Sequence, residues 1–324
     1  MKPMHRLGKV LFACAMPLLF TACTHFGRVP FADHPLLGKV WDVSAQRFVD
    51  PATVIDRAVE ARFVLIGEIH DNAEQHRIQA QVLDAMVQRG RRPALVMEQY
   101  DVEQQSGVNT ARQGNSPDAA KLKALSELMR KSWDWPLYEP IVKVAVQNKL
   151  PLIASNLSRD SLRHVSRQGF SALGEGEQAR LALDTVWTQE RQKQLLMELS
   201  AGHCGKMAEH MGEAISKAQR ARDAVMADML VKATKSGAVA IVGRNHARLD
   251  LGVPIYLAAR APNAPVLSIG LVEVDVPTNP AAYASSQLGQ LHDYLWFTSR
   301  PLRKVNPCDS IPAKPEAKAE AKSS

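Results

Sequence analysis

The sequence is poor in aromatic residues, poor in cysteine and almost without long apolar runs. Phe, Trp and Tyr make up 6% of the 324 residues. A nucleic-acid surface needs a clustered basic stripe with interleaved aromatics, and none is present, so no nucleic-acid partner is expected. The formal charge of +7 is partly an N-terminal matter: without Lys2, Arg6 and Lys9, 37 basic residues stand against 33 acidic ones. Only one apolar run, near the N-terminus, approaches membrane length, which excludes a multi-pass membrane protein. Four cysteines in a chain of this length exclude a disulfide-stapled miniprotein. Without CxxC or CxxCH there is no zinc ribbon and no covalent haem attachment of the c type. GxSxG, a P-loop and a dinucleotide fingerprint are also missing, so a nucleophile-elbow hydrolase, a kinase and a dehydrogenase have no support. What is there is an ordinary globular composition, 46% hydrophobic and 23% charged, long enough to bury a core.

The N-terminus reads as an export signal over residues 1–22. A basic stretch to Lys9 precedes the apolar run Val10 to Phe20, which is too short to span a bilayer comfortably. Leu19-Phe20-Thr21-Ala22-Cys23 resembles a bacterial lipobox, with Phe20 where leucine is commonest. Cys23 is then the lipidated first residue of the mature chain, held by acyl chains rather than by a helix. Thr24, which is not Asp, points to the outer membrane. A plain secretory signal cut nearby is the alternative. Cys14 leaves with the signal, so Cys204 and Cys308 remain. In an oxidising compartment they have one possible pairing, and a free thiol pair or a soft ligand site are the other readings.

Residues 23–36 read as a tether, and Ile311 to Ser324, rich in Pro, Ala, Lys and Glu, as a low-complexity solvated tail. Between them short β-rich apolar runs alternate with helical stretches. Arg62–Gly67, Pro93–Met97, Leu150–Ala154, Ala238–Gly243 and Pro265–Glu273 read as buried strands. The fold class is therefore α/β, with a parallel sheet flanked by helices. The gaps 103–147 and 158–234 exceed one crossover helix, and a smaller inserted all-helical subdomain is expected within 158–234. The stripe Met207, Met211, Ile215, Ala218 is expected to be core. Asn72 and Gln75 resemble a capping box opening a helix over 73–89.

Unusual polar residues fall at the carboxyl ends of the expected strands: Glu68 and His70, then Glu98, then Asn156, then Arg244 and His246. That edge is where ligands bind in open α/β sheets. Two imidazoles and two carboxylates can work as acid and base, so Glu68, His70, Glu98 and His246 are the candidate catalytic set. His70, His246 and Glu98 are the candidate ligands of a divalent metal that would activate a water. Arg244 and Arg248 could hold propionates or phosphates. His76 is divided between site and solvated helix face, and His203 is read as structural. His5, His25 and His34 are placed outside the fold.

At these residues the chain resembles the ChaN-type haem-binding lipoproteins, related to the Tiki/TraB and erythromycin-esterase-like proteins. The resemblance runs through GEIHDNAEQH (67–76), VMEQYD (96–101), WDWPLYEP (133–140), ASNLSRD (154–160), HCGKMAEHM (203–211), AQRARDAVMADML (218–230), VGRNHARLDLGVP (242–254) and NPC (306–308). It implies one α/β domain over 37–310 with a small helical part. It also implies an outer-membrane lipoprotein of iron and haem uptake, with haem as cofactor. Two stacked haems between two monomers, each with an axial tyrosine, are implied, and an outer-membrane haem receptor is a possible partner. Tyr138 is the first candidate ligand and Tyr100 the second; tyrosinate is a known ferric haem ligand. The alternative function is a peptidase- or esterase-like hydrolase, with or without metal, using Glu68, His70, Glu98 and His246.

Overall fold

The computed structural model describes residues 31, 33–233, 235–274, 290–303 and 308. The signal, Cys23 and the tail after residue 310 lie outside the described residues. No helix among those described is long and apolar enough to cross a membrane.

The chain opens with two short antiparallel strands, β1 (Val40–Asp42) and β2 (Arg47–Val49), followed by α1 (Pro51–Glu60). Asp50 starts α1 by accepting from the Ala52 amide, and Pro51 occupies a first-turn position whose N–H would have no helical partner. Then come β3 (Phe63–Glu68), α2 (Ala73–Gln88), β4 (Ala94–Asp101), α3 (Gln105–Arg112), α4 (Asp118–Leu128), α5 (Trp135–Gln147) and β5 (Leu152–Asn156). Four helices follow: α6 (Arg159–Gln168), α7 (Glu177–Arg180), α8 (Gln189–Gly202) and α9 (Glu209–Ala233). The chain returns through β6 (Ala238–Gly243), α10 (Val253–Arg260), β7 (Val266–Glu273) and β8 (Tyr294–Thr298).

The eight strands form one sheet in the order β2-β1-β8-β7-β3-β6-β4-β5. The run from β8 to β5 is parallel, while β1 pairs antiparallel with both β2 and β8. The five expected strands β3 to β7 are parallel, and β1 and β2 add an antiparallel margin that makes the whole sheet mixed. Every residue of β3 and β6 is buried, as strands covered on both faces require. One face packs Val64, Ile66, Leu95 and Ile241 against α1, α2 and α5. The other packs Phe63, Leu65, Val96 and Ala240 against α9 and α10. Each such apolar side chain contributes about 1.5–3 kcal/mol by leaving water.

The inserted helices are joined to the sheet by α9, whose second half packs Ala221, Ala224, Met226 and Leu230 on it and serves as the crossover into β6. Two expectations need correction. His34 and Leu36 are buried, 6% and 1% exposed, so the fold begins before the expected end of the tether. Met211 is 46% exposed and Met207, Ile215 and Ala218 are half-buried, so that stripe is not core. It borders an open groove of about 550 Å³ lined by Leu196, Met197, Met207 and Gly212. A disulfide joins Cys204, in the α8–α9 turn, to Cys308.

Candidate functional site

β3, β6, β4 and β5 are neighbours, so their carboxyl ends bring Glu68, Gly243, Glu98 and Asn156 to one stretch of sheet edge. The β4–β6 pairing ends at Met97 and Ile241, and the β4–β5 register shifts between Met97 and Asp101. Glu98 sits in that irregularity, a common device for aiming a side chain next to a site. Its Oε2 accepts from the Gly243 amide at 2.9 Å. The turn Arg244–Ala247 then folds across the end of β3. Gly67 permits this, because a Cβ there would lie 2.7 Å from the Arg244 Cα. A Cβ on Gly243 would lie 2.9 Å from His70 Cε1, so the second glycine makes room for that imidazole.

Glu68 is the centre of the arrangement. It is buried, and its Oε1 accepts from the Tyr138 hydroxyl at 2.7 Å and from His70 Nδ1 at 3.0 Å. His76 Nδ1 lies 2.9 Å from Oε2. Burial alone would push the carboxyl up, but His70 and His76 outweigh it and hold Glu68 at about 2. The two histidines respond in the opposite sense. For each, burial favours the neutral ring, and the Glu68 carboxylate raises it above its ordinary value. His76 faces acceptors on both nitrogens, with the His70 carbonyl 3.1 Å from Nε2 and Gln79 Oε1 3.1 Å from Nδ1. That environment suits a doubly protonated ring. His76 therefore belongs to the site's floor, not to a solvated face.

His70 stands at the mouth, with its side chain 47% exposed. Its Nδ1 donates to Glu68, so in the neutral ring the lone pair is on Nε2. Trp133 holds the ring edge-on, with centroids 4.6 Å apart. Nε2 lies 3.7 Å from Glu98 Oε1. That oxygen is buried, has no hydrogen-bond partner, and is also 3.7 Å from Arg222 Nη2. His246 Nε2 is 3.7 Å from Glu98 Oε2, and its Nδ1 is 2.5 Å from Asp223 Oδ1. Burial, with Arg222 nearby, lowers His246 to about 3, and burial raises Asp223 well above the carboxylate range. Burial thus disfavours the charged form of each partner across this contact, and Gln219 Nε2 also lies 3.0 Å from Nδ1. A cleft of about 330 Å³ opens over these groups, bounded by Glu68, His70, Arg222, Arg244 and His246.

The sequence expected Glu68, His70, Glu98 and His246, and the fold brings all four together. It missed Arg222, Asp223 and Gln219. These sit three and four residues apart on α9, a spacing that puts them on one helix face, but alone it reads as a solvated stripe. It also missed what Tyr138 does. Tyr138 and Tyr100 are both 0% exposed. Their hydroxyls donate to Glu68 and to the Leu125 carbonyl respectively. Burial, and for Tyr138 the Glu68 charge, push both phenols up, away from the tyrosinate that ferric haem takes. In this structure neither tyrosine fits an axial ligand. Arg248 does not fit a propionate either: it is 4% exposed and forked onto Glu198 and Asp250. Arg244 is on the cleft rim. The set His70, His246, Glu98 is gathered, yet among the described residues no three His, Cys, Asp or Glu side chains could hold a metal ion.

The fold is similar to a solved structure described as cofacial haem binding to ChaN of Campylobacter jejuni. The two share 19% identity, with 81% of this chain and 96% of that chain covered at a TM-score of 0.65. An erythromycin esterase mutant in its open conformation also matches, at 13% identity over 83% of this chain and 99% of that chain, with a TM-score of 0.46. No curated protein matches the sequence. A family model described as haem-binding uptake, Tiki superfamily, ChaN matches residues 54–257, more than half of the chain. The chain therefore belongs to the haem-binding uptake family ChaN of the Tiki superfamily.

Proposed function

We propose that this protein captures haem at the bacterial cell envelope for iron acquisition. The family match over residues 54–257 carries the reading. The groove between α8 and α9 supports it and is where we place the ring. Its volume of about 550 Å³ falls within the usual range of ligand clefts, roughly 300–1,000 Å³. Leu196, Met207 and Gly212 offer apolar walls, Met197 is 55% exposed, and Lys193 on the lining is a partner for a propionate. Cys23 carries the acyl anchor, the outer membrane is the site of action, and two copies bring two haems face to face. A haem receptor in the same membrane is the partner.

Hemin titration of the full chain, read by absorbance and sizing chromatography, tests this. A saturable Soret band with a shift to dimer is expected. Met197→Glu places a charge on the groove and should weaken binding about tenfold or more. Tyr138→Phe should leave the Soret band in place. No saturable binding by the wild-type chain would end the haem reading. Undiminished binding by Met197→Glu would move the haem off this groove.

A further inference from the structure

Tyr138 and Tyr100 do not fit the iron, so a haem in the α8–α9 groove takes its ligand from elsewhere in the chain. Resting on that placement of the ring, we propose that the axial ligand is the thioether sulfur of Met207, and that the groove therefore favours ferrous over ferric haem. Among the described residues that bound the groove there is no histidine, tyrosine or cysteine. Its stronger donors are Lys193, Met197, Met207 and Glu209. Lys193 is exposed, and an ammonium has no lone pair to give. Glu209 is exposed in the first turn of α9, where water and the helix dipole already suit its charge. Met197 is 55% exposed, too open to the solvent to be held in one place.

Met207 differs because the fold positions it. It lies half-buried in the connector just before α9. Its Cε and Sδ are 3.1 and 4.0 Å from where a Cβ on Gly212 would stand, with Leu196 Cδ2 at 3.3 Å from the same point. Gly212 is buried near the start of α9, where glycine is a poor helix former, and the space its missing Cβ leaves is taken by this methionine. The connector itself is fixed. Cys204 is bonded to Cys308, and Lys206 Nζ donates to the Cys308 carbonyl at 2.9 Å. That bond holds a turn in which Cys204 and Gly205 are both left-handed, at φ 57° and 69°, a conformation that a residue with a Cβ seldom adopts. A thioether is neutral and has no proton to lose, unlike a phenol. It is also a soft ligand, and methionine ligation raises the potential of a haem. No covalent bond changes and no electron moves on binding; the ligand sets which oxidation state the groove prefers.

The test loads the full chain with hemin, reduces it with dithionite, and reads X-ray absorption at the iron edge, the midpoint potential and the affinity. Wild type should show a sulfur neighbour of the iron and bind reduced haem more tightly than hemin. Met207→Leu keeps the volume and the apolar wall, so it separates a ligand from a packing residue. It should lose the sulfur neighbour, lower the potential and weaken binding of reduced haem about tenfold or more, as loss of a metal's support does. Met207→His should recover the affinity with a nitrogen neighbour in place of sulfur, because a ligand has been returned to the same position. Met197→Leu should keep both the sulfur neighbour and the potential. Haem bound by wild type without a sulfur neighbour would overturn the proposal and leave haem capture standing. So would a sulfur neighbour that persists in Met207→Leu, or equal affinities of wild type for the two oxidation states. The wild-type measurements decide the matter even if a variant fails to fold. A wild-type chain that gives no Soret band in either state would sink haem capture itself, and the ligand with it.

Discussion

Glu68 is the residue on which the protonation of the sheet-edge site depends. Its folded value of about 2 lies below the ordinary 4.5, so its charge stabilises the fold above pH 4.5. That contribution, on the order of 3 kcal/mol, is lost as pH falls from 4.5 towards 2. His246, held at about 3, makes the fold sensitive to acid from pH 6.5 downward, and the raised Asp223 beside it opposes that effect. His70 and His76 act in the other direction: their raised values stabilise below pH 6.5 and fade as pH climbs through their folded values. Urea midpoints against pH should therefore fall steeply on the acid side, and Glu68→Gln should lack the limb below pH 4.5. Tyr138 tests the same centre. Tyr138→Phe removes a hydrogen bond to a buried charge and should cost about 1.5–3 kcal/mol in urea denaturation.

At the scale of elements, glycine sets what can cross what. Gly67→Ala would drive a methyl into the Arg244–Ala247 turn, and the nearest atom is backbone, which cannot swing away. A loss of about 1–3 kcal/mol is expected from thermal melting. Arg248 ties the β6–α10 connection to α8 through Glu198 and is also paired with Asp250 beside it in that connection. Both carboxylates are about a third exposed, so Arg248→Met should cost less than a deeply buried pair would. Its clearer signature is faster amide exchange across α8.

Legibility in the sequence also divides by element. β3, β4, β5, β6 and β7 are continuous apolar runs, and their two-sided burial makes them readable. β1 and β2 are three residues each, and β2 at the sheet edge is largely exposed, so they leave almost no periodic signal. The Met207–Ala218 stripe has helical spacing, but spacing does not tell whether a partner covers the face, and here a groove stays open. Strand-end residues were legible because topology alone fixes their place. Asp223 was not, because a carboxyl on a helix reads as solvated until the fold puts His246 over it. Tyr138 was visible as a residue and hidden as a partner, since its contact with Glu68 spans 70 positions.

On the scale of the whole molecule, the Cys204–Cys308 bond closes a loop with a sequence separation of 104. Removing it with Cys204→Ser should lower stability by about 2–4 kcal/mol, read as a lower melting temperature under non-reducing conditions. The loop contains α9, β6, α10, β7 and β8, whereas β3 enters from outside and lies between β6 and β7. Mechanically, β3 is a tongue gripped by two sides of one covalent ring. Tension at the N-terminal end meets β1 and β2 first, whose short pairings open one bond at a time. To draw β3 out, the same pull must shear parallel ladders on both sides at once, against jaws that cannot drift apart along the chain. The strand that carries Glu68 is thus the one best shielded from force applied at the N-terminus.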